Sequence, residues 1–482
     1  MGLYAVTILA GSLDAATRLR AMELDLHERS ARRRPETGEI AVPGVLDDAD
    51  IARVRTAGYT VQINQDLEQV AAERAAEVQP SVNRMAPNLR AATGDATNSK
   101  EADVSALEML FDLSDVGTAG NAPEVRAVLG GYLTPEEIES SIQALAAAHP
   151  GKAEVVGLPE LSWEQRASHA LRIRAGTGAQ RVGVLLTGCM HAREWGGADI
   201  CLAFATNLLK SHAAGTSLKY GSKTFSAAQV KTILERLDII ILPNVNPDGK
   251  AFSQGNDPLA SGPQGTWWRK NRNPNPGLAA RGVDLNRNFD FLWSSGIGTS
   301  TSATSFTYRG KHAFSEPESR NIRHLLDTFP NIAFYVDVHS HGELILFPWG
   351  DDDNQGNKPA QNFQNPAFAG VRGQPGDTAY REFIPVADQA MLRTLAKNMN
   401  TALKTVRGRS YTVQQAVGLY PTSATSDDYI FSRHRADPTK TKVYGFTVEF
   451  GTEFVPPYAE MRNIIADVSA ALTELCRAAT AP

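Results

Sequence analysis

Four apolar runs, "VGVLLT" (182–187), "LDIIILPNV" (237–245), "IAFYVDV" (332–338) and "VYGFTVEF" (443–450), recur through the later part of this 482-residue chain. A strand with one wet face alternates apolar and polar residues, whereas a strand covered on both faces reads as a nearly continuous apolar run. Helical patterns separate the four runs. Together they predict an α/β fold, a mostly parallel mixed central sheet flanked by helices.

The ends of these runs are polar. His191 follows the first, Asn246 and Asp248 follow the second, His339 closes the third and Glu449 lies near the end of the fourth. Ligands of open α/β sheets bind outside the carboxyl ends of the strands, so the four ends point to one shared site. In "GCMHAREW", His191 stands three residues before Glu194. One reading is structural, with His191 capping a strand and Glu194 opening a helix. The other is metal binding. With His339 the set becomes two imidazoles and one carboxylate, which leaves a position free, as catalytic zinc sites do; structural zinc is closed by four ligands. Arg269 and Arg272 of "WWRKNR" and Asp284, Asn286 and Arg287 of "GVDLNRNFD" add further groups. Guanidinium groups recognise carboxylates through paired hydrogen bonds.

Upstream, residues 1–85 read as a small α+β sandwich module. A strand (Leu3 to Leu9), a helix (Leu13 to His27), a loop carrying Arg32 to Arg34, a helix (Asp48 to Thr56), a strand (Tyr59 to Ile63) and a helix from Asp66 follow one another. Residues 86–130 are small and polar and read as a linker. The main domain, 131–482, opens on Thr134, Pro135 and Glu137, a capping box with proline at the first helical position.

A net charge of −5 offers no electrostatic footprint for nucleic acid. No run of 18 apolar residues predicts a membrane span. Cys189, Cys201 and Cys476 are too few for a disulfide framework and read as small buried hydrophobes. The first residues lack a basic leader, so the chain as given reads as cytoplasmic, or as secreted if a leader has been removed. The sequence carries no signal for oligomeric state.

"HAREW", "NPDG", "WWRKNR", "DLNRNF", "DVHSHGELILFPWG", "YPTSATSDDY" and "FTVEFGTEF" occur in that order between about Tyr132 and the C-terminus. In these motifs the chain resembles the carboxypeptidase A/B family of zinc metallocarboxypeptidases. The resemblance implies a zinc-dependent exopeptidase acting on peptide or protein C-termini, with zinc ligands His191, Glu194 and His339. It implies Glu449 as general base and Arg272 as the cation that polarises the scissile carbonyl; beside them, Asp284 reads as the group that orients a ligand histidine. Asn286, Arg287 and Tyr420 would hold the terminal carboxylate, with Arg269 as a secondary carboxylate contact. An acid at Asp427 implies preference for Lys or Arg; the alternative is a helix cap facing solvent. His341 reads as a neighbour of the site and not a fourth ligand. More loosely, residues 1–85 resemble the family's pro-segment, which would make the chain a zymogen with Arg84 or Arg90 near the cleavage point; the rival is a permanent docking or folding module. Two other functions stay open: a zinc amidase or endopeptidase acting on cell-wall peptides or side-chain amides, and a non-catalytic peptide-binding protein on the same fold.

Overall fold

The structure, a computed structural model, describes residues 2–75, 77–78, 99–113, 116, 131–178, 180–255, 265–274, 280–374, 378–418 and 420–481. Arg84 and Arg90 lie outside the described residues.

The N-terminal module is an antiparallel sheet with strands β1 (Leu3–Ala10), β2 (Asp25–Leu26), β3 (Arg32–Arg33), β4 (Ile40–Asp47) and β5 (Thr60–Asp66). Their order is β2-β4-β1-β5, with β3 also paired to β4. Val6, Ile8 and Ala10 alternate along β1 into one apolar cluster that also takes Ile51 and Val54 from α2 (Asp48–Thr56). The helix expected over Leu13 to His27 is shorter. Helix α1 (Leu13–Arg18) tightens into a 3-10 turn (Leu19–Met22), and Glu23 in the left-handed region ends it. The chain then runs as β2 and a second 3-10 turn (Glu28–Ser30), so Asp25 to Ser30 form a projecting edge and not a helix face. Their side chains bond across to the main domain, and tertiary contacts of that kind override helix propensity. Helix α3 (Leu67–Ala75) closes the module. Within the stretch read as linker, helix α4 (Ser99–Leu110) buries Leu107 and Leu110 in the main core.

The main sheet has eight strands: β6 (Ala153–Gly157), β7 (His169–Ile173), β8 (Val182–Gly188), β9 (Leu237–Leu242), β10 (Ile332–Ser340), β11 (Leu344–Phe347), β12 (Thr412–Gln415) and β13 (Tyr444–Phe450). They lie in the order β12-β11-β13-β10-β8-β9-β7-β6. The four apolar runs are its parallel centre, β9-β8-β10-β13. Antiparallel pairings flank it on both sides, β7 with β9 and β11 with β13, so the expected mixed sheet is what forms. Helix α5 (Pro135–Ala148) starts on the predicted capping box. Helices α6 (Gly196–Ala214), α7 (Ala227–Arg236), α8 (Pro247–Gln254), α9 (Pro317–Thr328), α10 (Val386–Arg407), α11 (Ser426–Ala436) and α12 (Tyr458–Ala479) flank the sheet. All three cysteines are free and buried. Among the described residues no helix is long and apolar enough to cross a membrane.

From β8 the chain first moves to β9 on one side and later to β10 on the other. The crevice between the ends of β8 and β10 is therefore the topological switch point, where open α/β sheets bind ligands.

Candidate active site

His191 and Glu194 occupy a tight strand-to-helix turn between β8 and α6. Gly188 and Gly197 allow it: a Cβ on Gly188 would stand 2.8 Å from the Gly197 carbonyl oxygen, and one on Gly197 would stand 2.9 Å from the Cys189 nitrogen. With no side chains there, the start of α6 folds directly against the strand end and brings the turn over the switch point. His339 is the penultimate residue of β10. Glu449 lies beside it in register on β13, and neighbours in register on parallel strands project to the same face.

His191, Glu194 and His339 are all buried, and their ligand atoms lie within 4.8 Å of one another. Glu194 Oε1 lies 2.8 Å from His191 Nδ1, Glu194 Oε2 lies 2.8 Å from His339 Nδ1, and the two Nδ1 atoms are 3.2 Å apart. The outer nitrogens face carboxylates: His191 Nε2 lies 3.1 Å from Asp284 Oδ1 and His339 Nε2 lies 2.9 Å from Asp337 Oδ2. An imidazole that donates its Nε2–H to a carboxylate carries a lone pair on Nδ1. Two imidazole nitrogens and a carboxylate then converge on one point, an arrangement that a cation relieves. Two nitrogens on a tetrahedral zinc sit roughly 3.3 Å apart, so the spacing fits that ion.

The electrostatics agree. Burial works against charge on His339, yet Asp337 and Glu194 hold it well above the ordinary imidazole range. Burial likewise opposes ionisation of Glu194 and Asp284, but His191 and His339 hold Glu194 down, and Arg269 and His191 hold Asp284 well down. Left to itself, the group takes up a proton where a metal ion would otherwise supply the charge.

The surrounding cleft is lined by Arg269, Asn286, Arg287, Glu449, His341 and Phe454 from the main domain, and by Leu26 to Ser30 from the N-terminal module. Arg269 anchors Nε and Nη2 on Asp284 Oδ2, at 3.2 and 3.0 Å. Arg287 donates from Nε to Gly298 O and from Nη1 to Asn286 O, at 3.0 and 2.7 Å. Burial, with Arg269 and Arg29 nearby, pulls Arg287 down to about 10. It still carries its charge at neutral pH, so this part of the cleft favours an anion. Burial, together with the charge of Glu194, pushes Glu449 up to about 7 against the pull of His339, Arg29 and Arg269.

Two expected residues lie elsewhere. Arg272 does not line the cleft; its guanidinium stacks on Phe252 at 3.7 Å from the ring centre and donates to Glu164 at 3.2 Å. Two aromatic faces and a carboxylate draw it away, and Arg269, held by buried Asp284, faces the cleft in its place. Tyr420 is buried in the apolar cluster of the N-terminal module. The Arg20 guanidinium covers its ring at 4.9 Å, and no hydrogen-bond partner for its hydroxyl occurs among the described residues. Asn246 and Asp248 also stay outside the site: Asn246 caps α8 and Asp248 binds Ser162 and Arg166.

Asp427 does not face solvent. It is fully buried at the start of α11 and accepts from Thr447 Oγ1 at 3.0 Å. Beside it, burial and the Asp427 charge push Asp428 well up. Asp337 and Thr447 are additions that the sequence reading did not contain. Each stands two residues before a predicted site residue, on the same face of its strand, so strand period alone could have found them.

The family model for zinc carboxypeptidases matches residues 138–471. Zinc carboxypeptidase A 1 of Anopheles gambiae is 34% identical over 220 residues, 45% of each chain. Carboxypeptidase B of Helicoverpa zea is 33% identical over 264 residues, 54% of each chain. The matched part thus spans about half the length of these relatives. Among solved structures, thrombin-activatable fibrinolysis inhibitor superposes with a TM-score of 0.65 at 18% identity, covering 100% of this chain and 99% of that one. The carboxypeptidase A of Helicoverpa armigera gives 0.65 at 21% identity over 99% and 97%. The likeness in fold therefore takes in the N-terminal module.

Proposed function

Because this chain belongs to the zinc carboxypeptidase family, we propose that it is a zinc-dependent exopeptidase that removes the C-terminal residue of peptides, with preference for Lys and Arg. One observation carries the reading: the buried cation Arg287, with Asn286, lines the same cleft as His191 and Glu194. A free terminal carboxylate needs a clamp of this kind, and an internal peptide bond offers nothing for it to hold.

His191, Glu194 and His339 would hold the zinc. When bound, zinc supplies Lewis acidity toward a carbonyl and makes water nucleophilic near neutral pH. Asp284 and Asp337 fix the two imidazoles. Glu449 accepts the proton of the attacking water, a transfer typically worth 10²–10⁴-fold. Arg269, in place of Arg272, presents the cation to the oxyanion, and losing one such donor costs on the order of 3 kcal/mol. Arg287 and Asn286 hold the terminal carboxylate. The buried Asp427, aimed by Thr447, supports selection of a basic side chain, because a carboxylate enclosed there gains most from a cation.

The test compares zinc-loaded protein on peptides ending in Lys, Arg, Phe, Leu and Glu, as free acids and as amides, with and without chelator. Basic free acids should be cleaved fastest, amides slowly, and chelator should stop the reaction. Equal rates on amides would favour the amidase or endopeptidase instead. Preference for Phe or Leu would remove the role of Asp427 and leave that of the metal. No turnover at all would point to a binding protein.

A further inference from the structure

Asp427 is 0% exposed, yet among the described residues no cation of the main domain pairs with it. Its cationic neighbour comes from the N-terminal module: Arg29 Nη2 lies 3.5 Å from Asp427 Oδ1, and Arg29 Nη1 lies 3.4 Å from Thr447 Oγ1. Arg29 is itself only 9% exposed. Burial alone would lower its pKa, but Asp427, Glu449 and Asp428 together raise it. All three carboxylates belong to the main domain, so the charge of this module side chain is supported from across the cleft. The adjoining Glu28 lines the same cleft and acts as an anion on Arg287. The turn Glu28–Ser30 therefore brings an anion toward the carboxylate clamp and a guanidinium into the acidic pocket, the two charges that a peptide ending in Arg carries.

We propose that Arg29 is a tethered stand-in for the basic side chain of a substrate's C-terminal residue, taking the place beside Asp427 and Thr447 that such a side chain would occupy. The proposal rests on the exopeptidase reading above and names how that same site is regulated. The chain continues from Arg29 into Ser30, so the stand-in offers no free carboxylate for Arg287 and Asn286 to hold. Ser30 Oγ donates to His341 O at 2.6 Å and Arg20 Nη2 donates to Pro421 O at 2.8 Å, which pins the turn on both sides of the pocket. Gly342 makes room for it, since a Cβ there would meet Ser30 Oγ at 2.5 Å. The contacts of Arg29 are at the long end of hydrogen-bonding distance. They fill the pocket without the close paired geometry open to a free guanidinium, so an occupant of this kind is displaceable.

The test uses the full chain, zinc-loaded, as wild type, Arg29→Ala and Arg29→Lys. Two readouts are taken: hydrolysis of N-blocked dipeptides ending in Arg or Phe, and calorimetric binding of ethylguanidine against its uncharged analogue N-ethylurea. We expect Arg29→Ala to raise kcat/KM on the Arg-ending dipeptide at least tenfold, and Arg29→Lys to change it less than threefold. Ethylguanidine should bind Arg29→Ala and not wild type, and N-ethylurea should bind neither. Equal kinetics and equal ethylguanidine binding in wild type and Arg29→Ala would overturn the stand-in, while cleavage of Arg-ending peptides would keep the exopeptidase reading. No hydrolysis of either dipeptide by any zinc-loaded form would overturn both.

Discussion

Replacing Asp25 with alanine should undock the N-terminal module without unfolding it. Asp25 belongs to the module and Arg193 to the main domain, and both side chains are buried. Arg193 bonds Asp25 through both terminal nitrogens, with Nη2–Oδ1 at 2.9 Å, and stacks on Phe454 at 4.2 Å from the ring centre. In Asp25→Ala the docked state keeps Arg193 buried without its carboxylate, whereas the undocked state leaves it hydrated. Breaking one side of a buried pair costs about 3–5 kcal/mol. Because the pair spans the two parts, that energy falls on docking and raises the undocked population roughly 10²- to 5 × 10³-fold. Hydrogen–deuterium exchange of the full chain reads this directly. Amides of Leu26 to Ser30 should lose protection by about that factor, while amides of β1 and β4 keep theirs. Unchanged protection over Leu26 to Ser30 would refute the reasoning, and so would parallel loss in β1 and β4, since that reports unfolding.

Asp337→Asn should weaken zinc binding about 10- to 100-fold in chelator competition, the usual effect of losing a group that orients a metal-bound imidazole; unchanged affinity would mean that His339 needs no such support. Asp427→Asn should lower kcat/KM on Arg-ending peptides by about 2–5 kcal/mol, roughly 30-fold or more, and leave Phe-ending ones little changed. Glu449→Gln should cost 10²–10⁴-fold in kcat and should also alter the stability of metal-free protein. The folded pKa of Glu449, about 7, exceeds its ordinary 4.5, so between those values the folded state binds the extra proton and stability falls as pH rises. Thermal denaturation of metal-free protein should therefore lose less stability between pH 4.5 and 7 in Glu449→Gln than in wild type; identical slopes would show that Glu449 is not shifted.

The parallel centre of the sheet was legible because strands buried on both faces must be apolar throughout, and three of its four ends carry the expected site residues. Two kinds of information were not. Arg269 and Arg272 are the same residue type three positions apart, and nothing local tells which one a distant aspartate will hold; Asp284 holds Arg269, and Phe252 and Glu164 hold Arg272. The segment Leu13 to His27 has helical spacing, but Asp25, His27, Arg29 and Ser30 find partners more than 160 residues away in the chain. Those partners end the helix after its first turns. Asp337 and Thr447 were within reach, since strand period places them on the faces of His339 and Glu449.

Metal content measures the central claim most directly. Elemental analysis after dialysis against zinc should return one zinc per chain for wild type and for Arg272→Ala, and substantially less than one for His191→Ala, Glu194→Ala and His339→Ala. Wild-type protein that retains no zinc, or ligand variants that retain as much as wild type, would contradict a site built from those three side chains.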